Sequence, residues 1–310
     1  MTAITEQDRA PHDPFEVIPG IRVVPLRTPT LPPATHTNCV VLGHERVVLV
    51  DPASPYPEEQ ARLQGWIAEE GLTVHAVWLT HHHLDHVGGA NAAKEAFDVP
   101  VCAHPATAQR LEGAVPIDVE LFEGDSPNAV HDIDIGLDVR ALHTPGHARG
   151  HLAFREEVSR IIVAGDLVAG QGTIVIDPPE GDMGDYLATL ARLITEGCGT
   201  LIPSHGGAIA AGEEKLLEYI AHRKMREDQL LAALAKREGR PLDLVPILYP
   251  EVPTMFHPLA SRQILAHLLK LESEGQVERP DGSSGVPGSP IYLSADMAGW
   301  TAVLPVFRLR

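Results

Sequence analysis

Residues 79–89, LTHHHLDHVGG, hold four histidines and an aspartate inside six positions, directly after an apolar run and directly before two glycines. Imidazole and carboxylate are the donors that zinc and iron accept. The spacing His81-x-His83-x-Asp85-His86 puts those donors in a strand-to-helix turn. In an extended turn His81 and His83 share a face, because alternate residues point the same way. Asp85 and His86 fall at the start of the following helix, where they can face a second ion. Gly88 and Gly89 permit close backbone approach there. The cluster alone leaves a surface histidine patch as a competing reading. Three later segments weigh against the patch: HTPGH ends in His147, VAGD in Asp166 and PSH in His205. Each of these residues lies just past a predicted strand, and α/β proteins assemble sites at strand ends on one sheet edge.

The surrounding pattern supplies those strands. RVVLVD (46–51), HAVWLTH (75–81), LDVRALHT (137–144), RIIVAGD (160–166), TIVID (173–177) and GTLIPSH (199–205) are short, β-branched and bounded by Gly, Pro or polar residues. Helical patterns lie between them. SPYPEEQARLQGWIAEEGL runs to Gly71, GGANAAKEAF follows the histidines, and GDMGDYLATLARLITEG has Asp182 as N-cap and Gly197 as stop. Alternating strands and helices predict a layered α/β domain. After about residue 212 the pattern changes to a long helix, the short apolar piece LDLVPILYP, and a second strong helix LASRQILAHLLKLESEG. QVERPDGSSGVPGSPIYLS then reads as two short strands joined by a Gly/Ser/Pro loop. This is the element order of a winged helix-turn-helix. The expected division is a catalytic domain over 1–215 and a winged-helix-like domain over 216–310.

The formal net charge is −18, yet residues 221–310 hold 11 Lys+Arg against 10 Asp+Glu, so the acidity lies in the first domain. Such a surface repels phosphate backbones at long range. The second strong helix carries only Arg262 and Lys270, opposed by Glu272 and Glu274, and a DNA-reading helix presents a basic face. A lid over the site or a dimer contact is the expected role of the tail. Cys39, Cys102 and Cys198 form no disulfide framework. The N-terminus has no apolar signal region, and no apolar run approaches the roughly 20 residues of a membrane span. The expectation is a cytoplasmic protein.

HTNCVVLG, VVLVDPAS, THHHLDHVGG, HTPGHARGH, VAGD and PSHGG, in this order, resemble the metallo-β-lactamase superfamily over roughly residues 20–210. The closer resemblance is to the branch that adds a C-terminal winged helix, the lactamase-beta-like protein 2 group. It implies an αββα sandwich with a two-metal site at one edge. By the same resemblance His81, His83 and His147 hold one ion, Asp85, His86 and His205 hold the other, and Asp166 bridges them. Zinc is the expected metal, and the same donor set also serves iron or manganese.

Two divalent ions lower the pKa of a shared water to about 7 and polarise the electrophilic oxygen. A binuclear hydrolase with a metal-bridging hydroxide follows, with Asp85 orienting the nucleophile or accepting its proton. Asp51, after VVLV, is expected to support the histidine turn, since ligating imidazoles donate their other N–H to such partners; a strand-end cap is the alternative. His151 is expected as a support or a substrate contact. His82 alternates away from the ligands, and His36 has no motif context. A small ester or thioester is the expected substrate. A single-strand endoribonuclease, disfavoured by charge, and a metal-binding sensor or regulator are the alternatives. No membrane is involved, and a homodimer is compatible with the sequence.

Overall fold

The computed structural model describes residues 13–170, 173–285 and 304–310. Among them, one sheet runs in strand order from β1 (Phe15–Ile18) through β2 (Ile21–Arg27), β3 (His36–Leu42), β4 (Arg46–Val50), β5 (Thr73–Trp78) and β6 (Val101–Ala103) to β7 (Val119–Glu120). The pairings are antiparallel up to β4 and parallel from β4 onward. Helices α1 (Pro57–Glu69), α2 (Leu84–Val87), α3 (Ala90–Phe97), α4 (Pro105–Leu111) and α5 (Pro127–His131) lie between or after these strands. A second sheet has the order β11 (Leu201–Pro203), β10 (Ile162–Gly165), β9 (Leu152–Glu156), β8 (Val139–His143), and α6 (Met183–Glu196) precedes β11.

β4 shows why these residues stack into layers. Its apolar side chains alternate between faces, as a pleated strand requires. Val47 and Leu49 join a core with Leu63 and Ile67 of α1 and Ala93 of α3. Val48 and Val50 join another core with Trp78, Phe154 and Val163, which joins the two sheets. Being covered on both faces, β4 carries no polar residue after Arg46.

The chain divides into two compact units. One is Met1–Thr144 with Gly150–Ile174 and Leu193–Lys215; the other is Leu216–Arg310 with two earlier segments, Pro145–Arg149 and Val175–Arg192. The second unit contains α7 (Gly212–Leu234) beyond its first turn, α8 (Pro241–Leu248) and α9 (His257–Ser273). Leu230, Leu244, Val245, Leu265 and Leu268 form the centre of its core. The apolar piece LDLVPIL is α8, with Pro241 at its start.

One expectation changes. TIVID (173–177) is not a strand; its backbone finds side-chain partners instead of a ladder, as described below. The strand β12 (Val277–Glu278) pairs with β13 (Arg308–Leu309), a pairing outside the sequence reading. The segment 286–303, which includes the expected second wing strand at 289–294, lies outside the described residues, as do residues 1–12 of the N-terminal reading.

Phe154 is 1% exposed and packs 5.2 Å, centroid to centroid, from the Trp78 ring. Phe154→Ala leaves a cavity between the sheets and lowers stability by about 3–5 kcal/mol, measured by denaturant unfolding. A loss below about 1 kcal/mol would contradict this packing.

Candidate metal centre

The centre is assembled from chain just past strand ends. After β4, Asp51 turns with φ 50°, a left-handed conformation that Asp tolerates better than most residues. Its carboxylate is 1% exposed and is fully engaged. Oδ1 accepts from the Thr80 N–H at 2.8 Å, and Oδ2 accepts from Thr80 Oγ1 at 2.6 Å. Oδ2 also lies 2.8 Å from His86 Nδ1. Asp51 therefore fixes both the start of the histidine turn and one of its imidazoles. The turn then enters α2, which carries Asp85 and His86. A Cβ on Gly89 would stand 2.1 Å from the Pro52 carbonyl, so only glycine lets this junction pack on the Asp51 loop.

The other donors are held in the same manner. His205, after β11, has Nδ1 2.9 Å from the His36 carbonyl. His147 has Nδ1 2.8 Å from the Val175 carbonyl. A carbonyl only accepts, so each Nδ1 carries the proton and each Nε2 presents its lone pair. Asp166, after β10, donates its N–H to His151 Nε2 at 3.1 Å, while His151 Nδ1 lies 2.7 Å from Thr144 Oγ1. His151 is fully buried, with both ring nitrogens used by protein.

Two donor groups result: His81, His83, His147 and Asp166, and Asp85, His86 and His205. Within each, the potential ligand atoms lie within 4.8 Å of one another. In the first group His81 Nε2 and His83 Nδ1 are 2.9 Å apart. Asp166 Oδ1 lies 3.5 Å from His86 Nε2 and 3.6 Å from His205 Nε2, both of the second group. Asp85 Oδ2 is 3.7 Å from His205 Nε2. His86 Nε2 is buried and has no hydrogen-bond partner among the described residues. A buried polar atom of this kind calls for a partner, and its neighbours are carboxylates and imidazoles. The donor set therefore fits a divalent cation. Burial opposes charge on His86, but Asp166, Asp51 and Asp85 outweigh it and hold its pKa well above the ordinary imidazole value.

Residues 32–205 match the family described as the Metallo-beta-lactamase superfamily. The chain belongs to this superfamily. It is a hydrolase of that fold, and residues 241–285 match the beta-lactamase associated winged helix domain. A beta-lactamase-like protein 2 homolog of Drosophila melanogaster is 30% identical over 78% of this chain and 84% of its own. The atrochrysone carboxyl ACP thioesterase AacuM of Aspergillus aculeatus is 31% identical over 67% of this chain and 62% of its own. A metallo-beta-lactamase family protein from Thermus thermophilus superposes with TM-score 0.74 and 25% identity, covering 95% of this chain and all of that one. The structure of TTHA1623 in a di-iron-bound form gives TM-score 0.50 and 31% identity over 61% of this chain and 95% of that one.

Other sequence candidates fall elsewhere in this hydrolase. His82 is in neither donor group. Cys102 is buried, and burial pushes its thiol up to about 12; Cys198 is pushed up to about 11 by the same cause. Neither is a thiolate at neutral pH, which removes them as nucleophiles. Sequence reasoning missed Thr80 and Thr144, which act through hydroxyls beside the histidines. It also treated His36 as ordinary, whereas its carbonyl supports His205. A backbone carbonyl leaves no mark in residue type, but Thr80 directly precedes the histidine run.

Asp51→Ala removes the acceptor of His86 Nδ1 and should weaken zinc binding in the Asp85–His86–His205 group about 10–100-fold. Competition for zinc against a chromophoric chelator measures it, and wild-type affinity would sink the assignment of Asp51.

Proposed function

We propose that this chain is a binuclear metal-dependent hydrolase of a small ester or thioester, with a catalytic domain over 1–215 and a winged-helix domain over 216–310. The observation that carries the proposal is Asp166, a member of the first donor group whose Oδ1 reaches both histidines of the second. A carboxylate so placed is suited to serve two ions at once. His81, His83 and His147 would hold one ion and Asp85, His86 and His205 the other, with Asp166 shared. Zinc suits these donors, and iron is supported by the di-iron relative. When bound, two such ions supply an acidified water and polarise the electrophilic oxygen.

The chain's own groups do the rest. Asp85 is the more exposed of the two clustered carboxylates, with 18% of its side chain accessible against 11% for Asp166. It accepts the proton that the attacking water loses and returns it to the leaving oxygen or sulfur. His151 Nε2 accepts from the Asp166 backbone N–H and so keeps that carboxylate aimed between the groups. Asp51 keeps His86 in register.

The thioesterase relative supports an acyl thioester. So does leaving-group chemistry: a thiol of pKa about 8.5 departs with little help from an acid. The formal charge of −18 disfavours a polyanionic chain such as RNA. Arg262, one of the two cations on α9, is 3% exposed and paired with Asp177, so it offers nothing to a phosphate backbone.

Zinc-loaded protein should hydrolyse members of an acyl-thioester and aryl-ester panel, lose this with a chelator and regain it on zinc addition. Asp85→Asn should lower turnover about 10²–10⁴-fold. Cleavage of labelled single-stranded RNA with every ester left intact would overturn the substrate reading. A fully loaded protein inert towards both would point to a sensor.

A further inference from the structure

α9 of the winged helix reaches the segment that orients His147. The loop Pro145–Arg149 and the segment from Val175 belong to the same compact unit as α9. The loop is pinned along its length. Thr189 Oγ1 donates to the Pro145 carbonyl at 2.7 Å, and Asp182 N–H donates to the Gly146 carbonyl at 2.8 Å. His147 Nδ1 meets the Val175 carbonyl, and Arg149 donates to the Pro179 carbonyl at 3.0 Å. Gly146 has φ +136°, and a Cβ there would stand 2.3 Å from Tyr186 Cα, so the loop sits directly on α6.

The acceptor segment has no ladder of its own, since residues 173–177 are not a strand. Two neighbouring side chains of α9 take the place of one. Gln263 Oε1 accepts from the Ile176 N–H at 2.8 Å. Arg262 Nε donates to Asp177 Oδ1 at 2.6 Å, and its other nitrogen donates to the Pro178 carbonyl. Arg262 is 3% exposed and Gln263 6%. Gln263 Nε2 is buried with no hydrogen-bond partner among the described residues. A buried amide that satisfies one backbone group and leaves its own nitrogen unmatched is a costly choice for packing alone.

We infer that Arg262 and Gln263 are positioning residues for the metal centre, which hold the Val175 carbonyl where it fixes the tautomer and direction of His147. The winged helix is then part of the machinery that builds the site. Arg262 serves an internal carboxylate instead of an external ligand. The inference rests on the two-metal reading above. Outer partners of ligating imidazoles typically contribute 10–100-fold to metal affinity, and here that contribution comes through one intervening peptide.

The test is zinc binding by the full-length protein, in competition with a chromophoric chelator. The variants are Arg262→Met, Gln263→Leu, His147→Ala and Leu268→Ala. Leu268 is a fully buried core residue of α9, so its truncation loosens the helix without touching residues 175–178. Wild type should bind two ions, and His147→Ala identifies the ion that His147 serves. Gln263→Leu and Arg262→Met should each weaken that same ion about 10-fold or more and leave the other within about two-fold. Leu268→Ala should lower thermal stability yet keep both affinities. Arg262→Met leaves Asp177 buried without its cation, so Gln263→Leu, which removes no charge, decides the matter if the former does not fold. Wild-type affinities in Gln263→Leu, or equal weakening of both ions in it and in Leu268→Ala, would overturn the inference alone. A wild type that binds no zinc would overturn the two-metal reading and the inference with it.

Discussion

The centre depends on a hydrogen bond of one kind: an imidazole Nδ1 facing an oxygen that belongs to a distant part of the chain. His86 meets Asp51, His147 meets Val175 and His205 meets His36. A neutral imidazole offers a lone pair on either nitrogen, and nothing in the side chain itself decides which. For His147 and His205 the acceptor is a carbonyl, which admits only the tautomer with the lone pair on Nε2. The distant partners, up to 169 residues away for His205, are what make the whole fold necessary to a few donor atoms.

The same arrangement explains the tolerance for buried charge. Asp51 is 1% exposed and Asp166 7%, and burying carboxylates is unfavourable unless they are paired or hydrogen-bonded. Asp51 meets the requirement with three hydrogen bonds to two residues, Thr80 and His86. Asp166 and Asp85 face imidazoles across 3.5–3.7 Å. Carboxylates and imidazoles converging at such separations form a field that favours a cation, and a divalent ion becomes the largest local charge once bound. The framework around it is closely packed: alternating strand residues bury both faces of β4.

Much of this was legible in sequence because the signals were local. The histidine run, the strands ending before Asp166 and His205, and the Asp182 cap of α6, which accepts from Gly184 and Asp185, are each written within a few residues. Asp51 was expected either to support the histidine turn or to cap a strand end, and its carboxylate meets Thr80 and His86. What stayed hidden depends on tertiary partners. TIVID has every mark of a strand, but Ile176 N–H goes to Gln263, 87 residues away, and no periodicity reports such a partner. Arg262 read as one of two cations on the second strong helix, whereas it is buried against Asp177. The wing pairing of Val277–Glu278 with Arg308–Leu309 is likewise a long-range fact that the nearby Gly/Ser/Pro stretch obscured.

The measurement that tests the central claim most directly is anomalous diffraction at the zinc edge from crystals of the zinc-loaded protein. The account predicts two peaks in each chain. One is bounded by His81, His83 and His147, the other by Asp85, His86 and His205, and Asp166 contacts both. A single peak, or zinc bound away from these seven side chains, would contradict it.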